Sequence, residues 1–125
     1  MTENELSKIV LDLGMKVHKT LGPGLLESVY EECLFYEIKK YGLSVDKQKA
    51  LPLIYEDIKL DAGYRVDLWV EKKLIIEIKS VEALNDLHLA QTLTYLKLSD
   101  CKLGLLMNFN TILFKNGIRR VLNKL

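Results

Sequence analysis

The chain is poor in several features that would otherwise decide its class. Only two cysteines occur among 125 residues, Cys33 and Cys101, both in apolar contexts and without CxxC spacing. That excludes a disulfide-rich scaffold and a clustered zinc site, and it fits buried free thiols in a reducing compartment. Long apolar runs are missing, and none approaches the roughly 20 residues that cross a bilayer. The opening Met1-Thr2-Glu3-Asn4-Glu5-Leu6 has no basic stretch followed by an apolar one. A cytoplasmic protein with no membrane partner is therefore expected. Charge of one sign is also scarce: the net charge is +1, which supplies little long-range field for a polyanion. Binding to nucleic acid is permitted by this composition and must come from local patches. Repeats, low-complexity segments and flexible linkers are lacking too. With 49% apolar and 28% charged residues, the chain reads as one globular domain over residues 1–125.

What is present is a clear succession of elements. Leu6, Ile9, Val10, Leu13, Val17 and Leu21 recur at helical spacing, and Thr2 with Glu5 has capping-box form, so the pattern predicts a helix over residues 3–21. Gly22-Pro23-Gly24 breaks it. A second helix is expected from about Leu25 to Tyr41, with Gly42 at its stop. A strand region follows from Val45 to Tyr55, in which Pro52 argues for an edge or a bulge. Glu56-Asp57 turns the chain into Ile58–Ala62, and two further strands, Tyr64–Val70 and Leu74–Ser80, flank the charged turn Glu71-Lys72-Lys73. A third helix is expected over Leu84–Leu98, then an apolar strand from Lys102 to Phe109. The end of the chain reads as a short strand over Ile112–Phe114 and a basic helix from Ile118. This order gives an α/β (α+β) fold, a mixed central sheet flanked by helices.

The hairpin is the informative part. If Val70 opposes Leu74, then Asp67 faces Glu77 and Arg65 faces Lys79. Alternation puts Val66, Leu68, Val70, Leu74, Ile76 and Ile78 on one face and Arg65, Asp67, Trp69, Ile75, Glu77 and Lys79 on the other. A one-residue slip would mix the two sets, which disfavours it. Directly opposed carboxylates repel and need compensation. A hard divalent cation such as Mg²⁺, or Mn²⁺ in its place, provides it through oxygen ligands, with Lys79 beside the ion to orient an attacking water or balance a phosphate. The alternative is an ion-pair patch in which Lys79 and Arg65 neutralise the two acids on a solvated face.

Other side chains are candidates to join them. Glu27 shares a helix face with Tyr30 near the amino-terminal end of the second helix, where a carboxylate is also favoured by the helix dipole alone. In the third helix His88, Gln91 and Tyr95 form a polar ridge apart from a stripe of Leu89, Leu93 and Leu96. Gln91 and Tyr95 can support the acids or contact phosphate; a solvated ridge is the competing reading. His88 is a candidate base or ligand, and His18 reads as a helix-surface residue. Trp69 can stack on a base or cap the sheet edge. Lys115, Arg119, Arg120 and Lys124 form a basic cluster that suits phosphate or a helix end.

Taken together, these residues resemble a known family. Asp67 with Glu77-Ile78-Lys79 looks like the core of the PD-(D/E)XK nuclease superfamily. Gly24-Leu25-Leu26-Glu27-Ser28-Val29-Tyr30 matches the motif of its GxxExxY protein family, and Gln91-Thr92-Leu93-Thr94-Tyr95 is similar to the QxxxY motif of RecB-like relatives. The resemblance runs from about Leu6 to Phe114. Val66 stands before Asp67 where the superfamily name has proline. What the resemblance implies is a restriction-endonuclease-like αβββαβ core, with Asp67, Glu77, the Ile78 main-chain carbonyl and Glu27 on Mg²⁺ and Lys79 beside the attacking water. The implied activity is hydrolysis of phosphodiester bonds in nucleic acid, DNA being the expected substrate, by metal-activated water. The alternative is a catalytically inactive nuclease-fold module that binds nucleic acid or a protein partner. A homodimer would set two clefts along one substrate.

Overall fold

A computed structural model describes residues 1–124, with Ala62 described in its backbone only; Leu125 lies outside the described residues. Helix α1 (Glu3–Leu21) starts from the Thr2–Glu5 capping box, in which each residue's side chain accepts the other's amide. Helix α2 (Glu27–Tyr41) begins after the Gly22–Gly24 break and stops at Gly42, whose φ of 105° lies in the left-handed region that only glycine enters without cost. Strands β1 (Val45–Tyr55) and β2 (Ile58–Val70) form a long hairpin, followed by β3 (Leu74–Lys79), α3 (Asp86–Ser99), β4 (Leu103–Asn108), a 3₁₀ turn (Phe114–Gly117) and β5 (Ile118–Leu122).

The five strands lie in chain order, β1-β2-β3-β4-β5. All neighbours are antiparallel except β3 and β4, which are parallel and joined through α3. The sheet is therefore mixed, and helices cover both faces. Leu6, Val10, Leu34 and Ile38 of α1 and α2 pack on Leu68, Val70, Leu74, Ile76, Ile78, Leu105 and Met107. On the other face Tyr95 and Leu96 of α3 pack with Leu51, Val66, Ile75 and Val121.

The expected hairpin register holds for its first three pairs, while the expected Asp67–Glu77 and Arg65–Lys79 pairs are not part of the ladder. Val70 pairs with Leu74, Trp69 with Ile75 and Leu68 with Ile76. Beyond Leu68 the β2–β3 ladder ends, while β3 continues beside β4 as far as the Lys79–Asn108 pair. The sheet thus opens at the level of Asp67 and Glu77.

Several expectations need correction. Ile58–Ala62 and Tyr64–Val70 are one strand. Val66 joins the α3-side cluster with Ile75 and not the face of Leu68, so alternation breaks between them. The buried face of α3 is Thr92, Tyr95 and Leu96, which moves Tyr95 from a polar ridge into the core. His18 is buried, its Nε2 2.7 Å from the Thr111 carbonyl oxygen. No strand forms over Ile112–Phe114, and the segment from Ile118 is β5, paired antiparallel with β4 from Met107–Ile118 to Leu103–Leu122. The basic residues there belong to a sheet edge: Arg120 reaches back to Asn4 and Ser7 of α1.

Candidate active site

At the sheet opening, side chains take over from the ladder. The Asp67 amide donates to Oε1 of Glu77 at 3.2 Å, and the Ile78 amide donates to Oδ2 of Asp67 at 2.7 Å. Asp67 faces a cleft of about 270 Å³ lined by Glu27, Ser28, Glu31, Gln48, Asp67 and Ile78. Glu77 lies behind it, only 4% exposed, because α3 covers the face that alternation alone left open.

Burial is what sets the protonation of Glu77. Desolvation first, then the adjacent Asp67 charge and a side-chain hydrogen bond with Asp67, push its carboxyl up to about 9; the Asp67 amide and Lys79 offset this in part. In the absence of a cation Glu77 therefore keeps its proton near neutral pH. The ion-pair alternative does not describe this arrangement. Among the described residues neither acid is in a salt bridge, and Arg65 instead donates to the Gln48 carbonyl at 3.2 Å.

Glu27 approaches from the first turn of α2. Its Oε2 accepts the Ser80 amide at 3.1 Å, and Ser80 Oγ donates to the Leu25 carbonyl at 2.6 Å, so the helix start is tied to the residue after Lys79. Asn108 holds the following loop by exchanging hydrogen bonds with Val81. Tyr95 is buried, and its hydroxyl pKa is raised by desolvation, then by Glu77, Asp67 and Tyr64; Tyr64 meets the ring edge-on at 6.3 Å.

Four candidates stand elsewhere. Tyr30 points into the core, stacked on Phe109 at 4.5 Å, and its hydroxyl donates to Gly22 O and accepts from Leu25 N. It shapes the Gly22–Leu25 loop and does not line the cleft. His88 caps α3 in a reciprocal pair with Asn85. Gln91 is exposed in an open groove with His88 and Thr94, one turn before Tyr95, and no hydrogen bond ties it to the acids. Trp69 tucks against the α3-side cluster with Lys72 over its ring.

Two residues of the cleft were not singled out from sequence. Glu31 follows Glu27 by one turn, a spacing that signals a shared face. It is 9% exposed, and its pKa is raised by desolvation, then by Asp67 and Glu32, against a hydrogen bond from Gln48. Gln48 has no sequence signal; its amide donates to both Glu31 Oε1 and Asp67 Oδ1. An apolar groove between α1 and α2, near Cys33 and Tyr36, is larger at about 340 Å³. Its acids are already paired, Glu37 with Lys16 and Glu32 with Lys47, so it offers no uncompensated charge.

A family model described as PD-(D/E)XK nuclease superfamily matches residues 4–121. The chain belongs to the PD-(D/E)XK nuclease superfamily. None of the curated proteins compared with it matches. The superfamily membership suggests a metal-dependent nuclease acting on nucleic acid, and the mixed sheet between helices agrees with its restriction-endonuclease-like fold. Nucleases of this superfamily typically use divalent metal ions. Among the described residues, no group of three or more His, Cys, Asp or Glu side chains is already gathered around one point. The donors nevertheless fit a small hard cation, which takes one or two carboxylates and keeps its waters. They are all oxygens, and Glu77 carries its proton because burial and the adjacent Asp67 charge outweigh the partial offset from Lys79. Among the described residues, no helix is long and apolar enough to cross a membrane.

Proposed function

We propose that this nuclease-superfamily member hydrolyses phosphodiester bonds of DNA in a Mg²⁺-dependent reaction, with Mn²⁺ as a substitute. The observation that carries the reading is the adjacent Asp67–Glu77 pair, in no salt bridge among the described residues, with Asp67 lining a cleft that also holds Glu27 and Glu31 and Glu77 buried behind it. Asp67, Glu77, the Ile78 carbonyl and Glu27 are the ligands in this reading. A cation bound there supplies a lowered pKa for the attacking water and neutralises the scissile phosphate. Asp67 presents lone pairs on oxygens that protein donors already orient, and Glu77 gives up its proton as the site loads. Lys79, two residues after Glu77 and close enough for its charge to lower the Glu77 pKa, orients the water and balances charge building on phosphate in this reading. Water would attack phosphorus and release a proton to solvent, the ester P–O bond would break and the leaving oxygen would take a proton from solvent, with no covalent enzyme intermediate. In this reading Tyr95, buried and near enough to Glu77 and Asp67 for their charges to raise its pKa, supports the pair, while Gln91 and His88 of α3 meet substrate beyond it. Tyr30 contributes through the loop that precedes Glu27.

The Gly24–Tyr30 and Gln91–Tyr95 motifs support membership of the GxxExxY family with RecB-like character. A cytoplasmic protein of one domain, acting as a homodimer, fits this reading. A noncatalytic module that binds nucleic acid or a protein is the second reading, favoured by the net charge of +1 and the protonated, unassembled acid pair. Incubation of labelled single- and double-stranded DNA and RNA with Mg²⁺ or Mn²⁺ separates them. The enzyme cleaves at least one of these, and Asp67→Asn and Glu77→Gln each lower the rate at least about 100-fold. Cleavage unchanged in both variants, or none by the parent chain with either ion, rejects the hydrolase.

A further inference from the structure

Among the described non-glycine residues with positive φ, Gln48 alone lies inside a strand. Its φ is 53°, in the left-handed region that an amino acid with a side chain occupies at a cost. The position coincides with a break in pairing. Lys47 pairs with Leu68 and Lys49 with Val66, yet Gln48 and Asp67 between them do not pair. The Arg65 guanidinium holds the distorted segment by donating to the Gln48 carbonyl. Glycine is the residue that fits such a backbone without strain, so the side chain found there must serve a purpose that offsets it.

That purpose is visible in the cleft. One amide nitrogen donates to Asp67 Oδ1 at 3.1 Å and to Glu31 Oε1, bridging two carboxylates that would otherwise repel. Asp67 is then held through both oxygens, Oδ1 by Gln48 and Oδ2 by the Ile78 amide, and each oxygen keeps a second lone pair facing away from its donor. We infer that Gln48 is a positioning residue of the cleft, its strained backbone delivering an amide that fixes Asp67 and draws Glu31 beside it before a divalent cation arrives. This rests on the reading of the cleft as a cation site. Without the amide the carboxylates turn apart, and the ion must reorient them at the expense of affinity.

The test is calorimetric titration of the full chain with Mn²⁺, alongside melting temperatures, for the parent and for Gln48→Gly, Gln48→Asn and Asp67→Asn. Glycine removes both the strain and the amide. Asparagine tolerates the left-handed backbone but is one methylene too short to span both acids. Both Gln48 variants are expected to melt no lower than the parent and to bind Mn²⁺ about 10- to 100-fold more weakly. Parent-like affinity in both overturns the inference. So does a loss of affinity confined to variants that also melt lower, because Gln48 is then only structural. A parent chain that takes up no Mn²⁺ removes the cation reading itself; a parent that binds, an Asp67→Asn that does not, and unaffected Gln48 variants reject the role of Gln48 alone.

Discussion

The main-chain amide of Asp67 donates to Oε1 of Glu77 at 3.2 Å, so the two acids are locked together where β2 leaves β3. The side-chain bond keeps them adjacent and brings the Asp67 carboxylate to the cleft.

Stability of the cation-free protein should fall as pH rises through the range from about 4.5 to about 9. Glu77 has its folded pKa raised to about 9 from an ordinary 4.5. Between those values the folded state retains a proton that the unfolded state releases, and stability drops as pH increases. Glu31, also raised, acts in the same direction. Denaturant midpoints measured across this range should decline for the parent and flatten in Glu77→Gln, which keeps the shape and cannot ionise.

Cation binding should show the converse dependence. The ion replaces the proton on Glu77, so uptake of Mn²⁺ strengthens from pH 6 toward pH 9 and releases protons. Titrations in buffers of different ionisation enthalpy measure that release directly. Pure metal binding with no proton exchange would show that Glu77 is not displaced.

Tyr30→Phe is expected to act on stability. It leaves the Gly22 carbonyl and Leu25 amide without the hydroxyl they share, at a cost of about 1–2 kcal/mol, while the ring keeps its place on Phe109. Urea unfolding reads this loss. Cleavage per folded molecule should change much less than in Asp67→Asn.

Gly117→Ala tests the end of the chain. A Cβ there would stand 2.0 Å from the Asn108 carbonyl oxygen, a main-chain atom that cannot move aside without disturbing β4. A destabilisation of at least about 1–3 kcal/mol is expected. A variant as stable as the parent would argue against the close approach of the 3₁₀ turn to β4.

The sequence carried the first three helices, the start of the hairpin register and the adjacency of Asp67 and Glu77, because each follows from local periodicity or loop length. What it did not carry depends on distant partners. Alternation assigns Glu77 to a face without saying that Tyr95 and α3 bury that face. Ile118–Leu122, with its basic pair, is too short to display a period, and pairing with β4 decides it. Alternation breaks between Val66 and Leu68 across from the positive-φ residue Gln48, and nothing in the local residue types announces it. Glu31 was legible by its spacing from Glu27 but has no separate mark of function.

Anomalous scattering from crystals soaked in Mn²⁺ locates the ion itself. A peak is expected in the cleft within about 2.0–2.4 Å of carboxylate oxygens of Asp67 and Glu77, with Glu27 directly bound or one water away, and it should vanish in Asp67→Asn. A saturating soak that leaves the cleft empty, or places the ion only at other acids, would contradict the cation reading of the cleft.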